Sequence, residues 1–331
     1  MPKTIAILGV TGTQGGSVAS HFFSLGWHVR GLTRPLTSAS SISLKAKGIE
    51  VVQADIDSPS SLLSAFRGAH VIFGLTDFWG PYFSVFNEKK KEGDRATGEY
   101  AYEIEVRRGK NIVDAVEKVL EEEGSVLERF VLSSLPGFKA QSGGKYTFVY
   151  HFDSKAVVTE YLRGKGRLWE RSSVLNMGFY ADNLVRYGGI LGAAKDMENG
   201  VYIWRKPCKP TATHPFVIPS DTGFFVELLV NSPPKQDLLG VSEMASYADY
   251  MKIWSEVTGV PSEVREISVE EADMAAPGGV GREAAESTAT SAEFGWGEQL
   301  VLPTQLDPEF KTTSLRGYIE GEDWKGFLSK I

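Results

Sequence analysis

Through residues 4–135, short apolar runs alternate with segments whose apolar positions recur at helical spacing. Thr4-Ile5-Ala6-Ile7-Leu8 contains no charge and stops at Gly9, the pattern of a parallel strand covered on both faces. Residues 14–25 then place Val18, Phe22 and Leu25 along one helical face. A second strand is expected over Trp27 to Leu32, a short helix over Ser40 to Lys47, and a third strand at Glu50-Val51-Val52. Ser58 followed by Pro59 marks a helix start, a capping residue with proline at the first helical position, and that helix runs to Phe66. Ala69 to Leu75 predicts a fourth strand. Tyr102 to Glu122 predicts a long helix with Ile112, Val116 and Val119 on one face, and Arg129 to Leu132 a fifth strand. A β-α-β-α series of this length implies an α/β fold, a doubly wound parallel sheet with right-handed crossovers.

Two stretches interrupt the rhythm. Residues 77–100, from Asp77-Phe78-Trp79-Gly80-Pro81 through Glu88 to Gly98, read as a long connection, and loops of that length tend to be mobile lids. Residues 276–297 are rich in Gly, Ala, Glu, Ser and Thr, which fits either a weakly ordered loop or a helix of small residues. At 331 residues the chain exceeds one compact unit. The expected division is a nucleotide-binding domain over 1–160, completed by a strand near 170–176, and a smaller C-terminal α/β lobe over 177–331 that contributes to the cleft.

Composition narrows the function classes. The net charge of −7 is the wrong sign for wrapping nucleic acid, so no direct nucleic-acid binding is expected. Lys89-Lys90-Lys91 is flanked by Glu88 and Glu92 and reads as a solvated run. The single cysteine, Cys208, allows no intramolecular disulfide and no thiolate metal site; it reads as a redox thiol or an idle one. No metal site is expected. No apolar run is long enough to cross a membrane and residues 1–9 lead straight into a strand, so a cytoplasmic or nuclear protein is expected.

The strongest chemical signal is Gly9-Val10-Thr11-Gly12-Thr13-Gln14-Gly15-Gly16, directly after the first strand and opening the first helix. Glycines there allow a tight turn, backbone approach to a pyrophosphate, and close packing of helix on strand. In that context the motif predicts a Rossmann dinucleotide-binding domain. The second strand ends in Thr33-Arg34 with no acid. Arg34 can pair with a 2′-phosphate and Thr33 can donate to it, which selects NADP(H). Asp55, in Gln53-Ala54-Asp55, is placed either to accept from an adenine amino group or to cap a helix.

With these features the chain resembles the NmrA-like family, atypical members of the short-chain dehydrogenase/reductase superfamily. The resemblance is carried by the glycine motif with Gln14, Thr33-Arg34, Gln53-x-Asp55, Leu75-Thr76-Asp77-Phe78-Trp79 and Gly109-Lys110-Asn111. It continues in His151-Phe152-Asp153-Ser154-Lys155 and Asn176-Met177-Gly178-Phe179-Tyr180-x-x-Asn183, and fades after about residue 230. The resemblance implies that Gly9, Thr11, Gly12, Thr13, Gln14 and Gly15 cradle the pyrophosphate, and that Leu75 and Thr76 lie along the ribose. It further implies that Lys155 reaches the nicotinamide ribose and that Phe179 to Asn183 line the cleft.

Active dehydrogenases of the superfamily use Tyr-x-x-x-Lys, and here His151 stands where the tyrosine would be. Positions four apart on a helix share a face, so His151 and Lys155 can enter one cleft. Histidine is a competent general acid, although its ring is shorter than tyrosine's and a neighbouring ammonium disfavours a charged ring. His151 is therefore either a proton donor or a structural, cleft-lining residue. Ser134, of the pair Ser133-Ser134, occupies the region of the superfamily's serine but fits a strand-end serine bonded to backbone equally well. Tyr146 and Tyr150 are nearby phenols without the right spacing to Lys155. Phe78, Trp79, Tyr82, Phe83 and Phe86 form either the wall of a substrate pocket or a satellite core. Two functions follow: a regulator that senses the NADPH/NADP⁺ state and engages a protein partner, or an NADPH-dependent reductase of a small apolar carbonyl or enone. The missing tyrosine tilts the expectation towards the sensor.

Overall fold

The structure is a computed structural model that describes residues 2–186 and 193–328. Residues 187–192 and 329–331 of the expected lobe lie outside the described residues. The chain opens with β1 (Thr4–Leu8), α1 (Thr13–Ser24), β2 (His28–Thr33), α2 (Ala39–Ala46), β3 (Glu50–Gln53), α3 (Pro59–Phe66) and β4 (Val71–Gly74). It continues through α4 (Trp79–Lys89), α5 (Ala96–Glu121), β5 (Arg129–Ser134), α6 (Phe138–Gln141), α7 (Tyr150–Arg163), α8 (Gly166–Trp169) and β6 (Ser172–Met177). Next come β7 (Phe179–Tyr180), α9 (Asn183–Arg186), β8 (Ala193–Lys195), β9 (Tyr202–Lys206), β10 (Thr213–Val217), α10 (Thr222–Asn231), β11 (Asp237–Gly240) and β12 (Glu243–Ser246). The chain closes with α11 (Tyr247–Thr258), β13 (Ser262–Glu266), α12 (Val269–Ala275), α13 (Val280–Phe294), α14 (Pro303–Leu306), α15 (Leu315–Gly321) and α16 (Trp324–Leu328).

Seven strands form the central sheet in the order β11-β6-β5-β4-β1-β2-β3, and every neighbouring pair is parallel. This is the doubly wound Rossmann arrangement, with β11 added beyond β6 from the second half of the chain. Ile112, Val116, Phe130 and Leu62 fill one face. Val18, Phe22, Phe73 and Phe225 fill the other. Two small sheets, β12-β10-β7 and β13-β9-β8, carry the lobe, whose own core includes Trp204, Tyr250 and Trp254. No helix among the described residues is long and apolar enough to cross a membrane.

Residues 77–100 are not a loop. They hold α4 and the first turn of α5, which begins at Ala96, ahead of the expected Tyr102. Phe78 and Tyr82 are each 1% exposed, and with Phe86 they pack at successive helical turns against Ala101, Ala276 and Val280. Burial of this aromatic stripe outweighs the glycine, proline and charges that suggested a loop. Residues 276–297 resolve in favour of the helix of small residues, α13.

Close approach of α5 to α7 is set by glycine. A Cβ on Gly98 would lie 2.4 Å from Tyr150 Cδ2, and one on Gly109 would lie 2.3 Å from Val158 Cγ2. Gly98, Ala101, Glu105 and Gly109 follow one another on a single face of α5, all buried. The one charge on that face, Glu105, is thereby pressed towards α7.

Candidate functional site

The turn after β1 is made by main chain. Gly9 sits at φ +63°, where a side chain would be strained. Its carbonyl accepts the Gly12 N–H at 2.8 Å. Gly12 caps α1, whose first turn contains no acid, so the positive end of the helix is uncompensated there. A Cβ on Gly15 would stand 2.3 Å from the Gly9 oxygen, so only glycine lets α1 pack on the strand end. Thr11 and Gly12 are exposed and Thr13 is half-buried beside them. Leu75 closes over Gly9, its Cδ1 lying 3.1 Å from where a Gly9 Cβ would be. These features fit a dinucleotide's pyrophosphate.

Thr33 ends β2, and its carbonyl accepts the Ala54 N–H at 3.0 Å. Arg34 follows it, exposed at the sheet's rim. Asp55 is exposed after β3, and its Oδ1 accepts the Asp57 N–H at 2.9 Å. It does not cap α3; Ser58 takes the capping position, with Pro59 next.

At the other end of the cleft, α7 presents His151 and Lys155 to a cavity of about 300 Å³. Lys155 Nζ donates to Glu105 Oε1 at 2.5 Å. Thr76 Oγ1 donates to the same oxygen at 2.6 Å, and Ser154 Oγ donates to Oε2. Glu105 is fully buried, so this carboxylate is paired and hydrogen-bonded as burial of a charge requires. His151 has its own carboxylate: Glu283, from α13, lies 2.5 Å from Nδ1 and also accepts the His151 backbone N–H at 2.8 Å. Glu283 is 1% exposed, and its Oε2 has no hydrogen-bond partner among the described residues. One turn later, Glu286 Oε2 accepts the Thr147 and Phe148 N–H groups at 2.6 Å each. Together the two glutamates satisfy main-chain donors entering α7.

Gln14 is not confined to the glycine turn. Ser133 Oγ donates to Gln14 Oε1 at 2.7 Å, and Gln14 Nε2 donates to Tyr180 Oη at 2.5 Å, linking the sheet edge to the lobe. Ser134 is 1% exposed; its Oγ lies 2.7 Å from Thr159 Oγ1 and 3.2 Å from the Lys155 carbonyl it donates to, the backbone-tied arrangement. Tyr146 bonds Glu293 and Tyr150 bonds Arg95, and neither lines the cavity. Phe179 and Asn183 do line it. The aromatic cluster divides its roles: Phe78, Trp79 and Phe83 face the cavity, while Tyr82 and Phe86 belong to the satellite core.

Cys208 is buried, and burial pushes its thiol up to about 11, so the idle reading holds over the redox one. His214, 3.7 Å from its sulfur, is pushed down to about 4 by burial. Sequence reading missed Glu105, Glu283, Glu286, Lys206, Tyr247 and Trp296. For Glu105 the signal was present: a lone acid within a small-residue stripe, Gly98-x-x-Ala101-x-x-x-Glu105-x-x-x-Gly109.

The sequence model of the NmrA-like family matches residues 1–328. The NmrA-like family domain-containing oxidoreductase FrzB of Cladobotryum sp. is 28% identical over 272 residues, 78% of this chain and 74% of FrzB. The crystal structure of NmrA, a negative transcriptional regulator, in complex with NADP aligns at TM-score 0.69 and 18% identity, over 99% of this chain and 98% of that one. The NADPH-dependent quinone oxidoreductase QOR2 of Escherichia coli, complexed with NADPH, aligns at 0.66 and 15% over 95% and 98%. Those structural likenesses speak for the fold. The family match spans nearly the whole chain, and the protein belongs to the NmrA-like family.

Proposed function

We propose that this protein binds NADP(H) and reduces an apolar carbonyl or enone, with His151 as proton donor. The observation that carries the reading is the His151–Glu283 pair, 2.5 Å apart at a cavity lined by Phe78, Trp79, Phe152 and Phe179. The glycine turn receives the pyrophosphate, Arg34 the 2′-phosphate and Lys155 the nicotinamide ribose. Bound NADPH supplies a hydride to the electrophilic carbon. Negative charge then develops on the substrate oxygen, and a proton must arrive there. With Nδ1 held by Glu283, Nε2 is the nitrogen left to deliver it, and Glu283 supplies the counter-charge to a positive ring. The objection that Lys155 opposes a charged His151 loses weight, because Lys155 has Glu105 as its own counter-ion. The cofactor class is supported by NmrA and QOR2, crystallised with NADP and NADPH.

A second reading keeps the cofactor and drops the chemistry. A regulator of a protein partner, responsive to NADPH/NADP⁺, is favoured by the histidine in place of tyrosine at 151 and by the fold shared with a transcriptional regulator. NADPH consumption against a panel of quinones, aldehydes and enones, run beside a cofactor titration, separates the two. Turnover with any defined member supports the reductase. Tight NADPH binding with no turnover across the panel overturns it in favour of the regulator.

A further inference from the structure

Hydrogen bonds from two segments converge on one carboxylate behind the cavity wall. Glu105, on α5, is fully buried and accepts from Lys155 Nζ at 2.5 Å, from Thr76 Oγ1 at 2.6 Å and from Ser154 Oγ. Thr76 follows β4, while Ser154 and Lys155 lie on α7. Thr76 and Lys155 line the cavity; Glu105 and Ser154 do not. The carboxylate is held in place by its own helix, because Gly98 and Gly109 on the same face of α5 clamp it against α7.

What Glu105 does to its donors follows from their hydrogens. A threonine hydroxyl has one hydrogen, and that of Thr76 points at Glu105, so towards the cavity Thr76 offers only lone pairs. An ammonium has three N–H donors and no acceptor. Lys155 directs one to Glu105 Oε1 and another to the His151 carbonyl at 3.4 Å, which leaves a donor for the cavity. Both groups bond the same carboxylate oxygen, so they are close neighbours. An acceptor beside a donor is complementary to two adjacent hydroxyls, one donating and one accepting, and a ribose diol has that pattern. The ion pair also fixes the lysine's flexible stem in advance, which lowers the entropy lost when a ligand binds it. The Lys155 side chain is only 15% exposed, so water screens the pair little.

We propose that Glu105 is a positioning residue for the cofactor, holding Lys155 as the donor and Thr76 as the acceptor that together seat the diol of the nicotinamide ribose. The proposal rests on the reading that brings Lys155 to that ribose, and it does not depend on turnover. Glu105 touches neither cofactor nor substrate; it acts through the two side chains it orients.

The test is calorimetry on the full chain with two ligands. One is NADP⁺; the other is adenosine 2′,5′-bisphosphate, which keeps the 2′-phosphate but lacks the nicotinamide ribose. Glu105→Gln preserves shape and an acceptor oxygen while removing the charge. It should weaken NADP⁺ by about tenfold, the scale of one charge-assisted hydrogen bond, and leave the bisphosphate unchanged. Lys155→Met should weaken NADP⁺ by a similar factor, and the double variant should lose little more than either single one, because both act through one contact. Ser154→Ala removes a donor to Glu105 outside the cavity and should give an about two- to threefold loss confined to NADP⁺. It decides the matter in the same way should Glu105→Gln not fold. Equal loss of both ligands in Glu105→Gln overturns the proposal by marking a general structural role, and so does full additivity in the double variant. Wild-type NADP⁺ affinity in Lys155→Met removes the ribose reading and the seat with it. A loss in Lys155→Met with none in Glu105→Gln keeps that reading and overturns the role of Glu105 alone.

Discussion

At the glycine-turn end of the cleft the surface is main chain: the Gly9 carbonyl, the Gly12 cap and the open start of α1. At the lobe end it is side chains gathered from distant segments: His151 and Lys155 from α7, Glu105 from α5, Glu283 from α13 and Lys206 from β9. A main-chain surface depends on conformation and tolerates any sequence that keeps the turn. A side-chain surface depends on identity, so substitutions there change chemistry while leaving the fold and the far end intact. Binding and reaction should therefore be separable by mutation.

The largest separation is expected at His151. His151→Phe keeps a planar ring and removes the transferable proton, so turnover on any substrate found should fall by about 10²–10⁴-fold. NADP⁺ affinity should not move. Glu283→Gln should give a smaller loss with an altered pH–rate profile; a flat response of turnover to both substitutions would remove the pair from the mechanism. The converse lies at the turn, where Gly12→Val should weaken NADP⁺ by at least about a hundredfold while thermal unfolding stays near wild type. Titration showing wild-type affinity would mean that phosphate binds elsewhere.

Arg34→Ala is expected to cost about tenfold in NADP⁺ affinity and nothing in NAD⁺ affinity, since only the former presents a 2′-phosphate. Parallel titrations that drop together would assign Arg34 a general role instead. The smallest effect concerns Asp153 on α7, whose carboxyl is pushed from 3.8 up to about 6, chiefly by burial. A raised acid stabilises the fold below its unfolded value and loses that contribution as pH rises through 6. Asp153→Asn should thus match wild type near pH 3 and be more stable by about 1–2 kcal/mol at pH 8. Denaturant midpoints at the two pH values check this, and a variant less stable at pH 8 contradicts it.

The same contrast explains what was legible in the sequence. Gly9, Gly12 and Gly15 announce themselves because a local turn demands glycine at fixed spacing. The sheet was readable for a similar reason: buried parallel strands are short uncharged runs, and the expected β1 span matches Thr4–Leu8. Glu283 and Glu286 gave no such signal, since acids in a run of Ala, Ser and Thr look like a solvated helix until the partner surface is known. Residues 77–100 misled because Phe78, Tyr82 and Phe86 sit at helical spacing among stronger local breakers, Gly80 and Pro81. The fold is written in local patterns; the lobe end of the cleft is written in pairs far apart along the chain.

That distance has a temporal side. The N–H groups of Thr147, Phe148 and His151 receive their carboxylates from residues 139, 138 and 132 positions later. A polypeptide emerging from the ribosome N-terminus first, at roughly 5–20 residues per second, therefore exposes the start of α7 for several seconds or more before α13 exists to seal it. The nucleotide-binding sheet can assemble in that interval from β1 to β6, while His151 still faces water. The carboxylate pairing of His151 is thus the last feature of the cleft the nascent chain acquires, and a ribosome stalled before residue 280 would present a folded sheet with His151 still lacking Glu283.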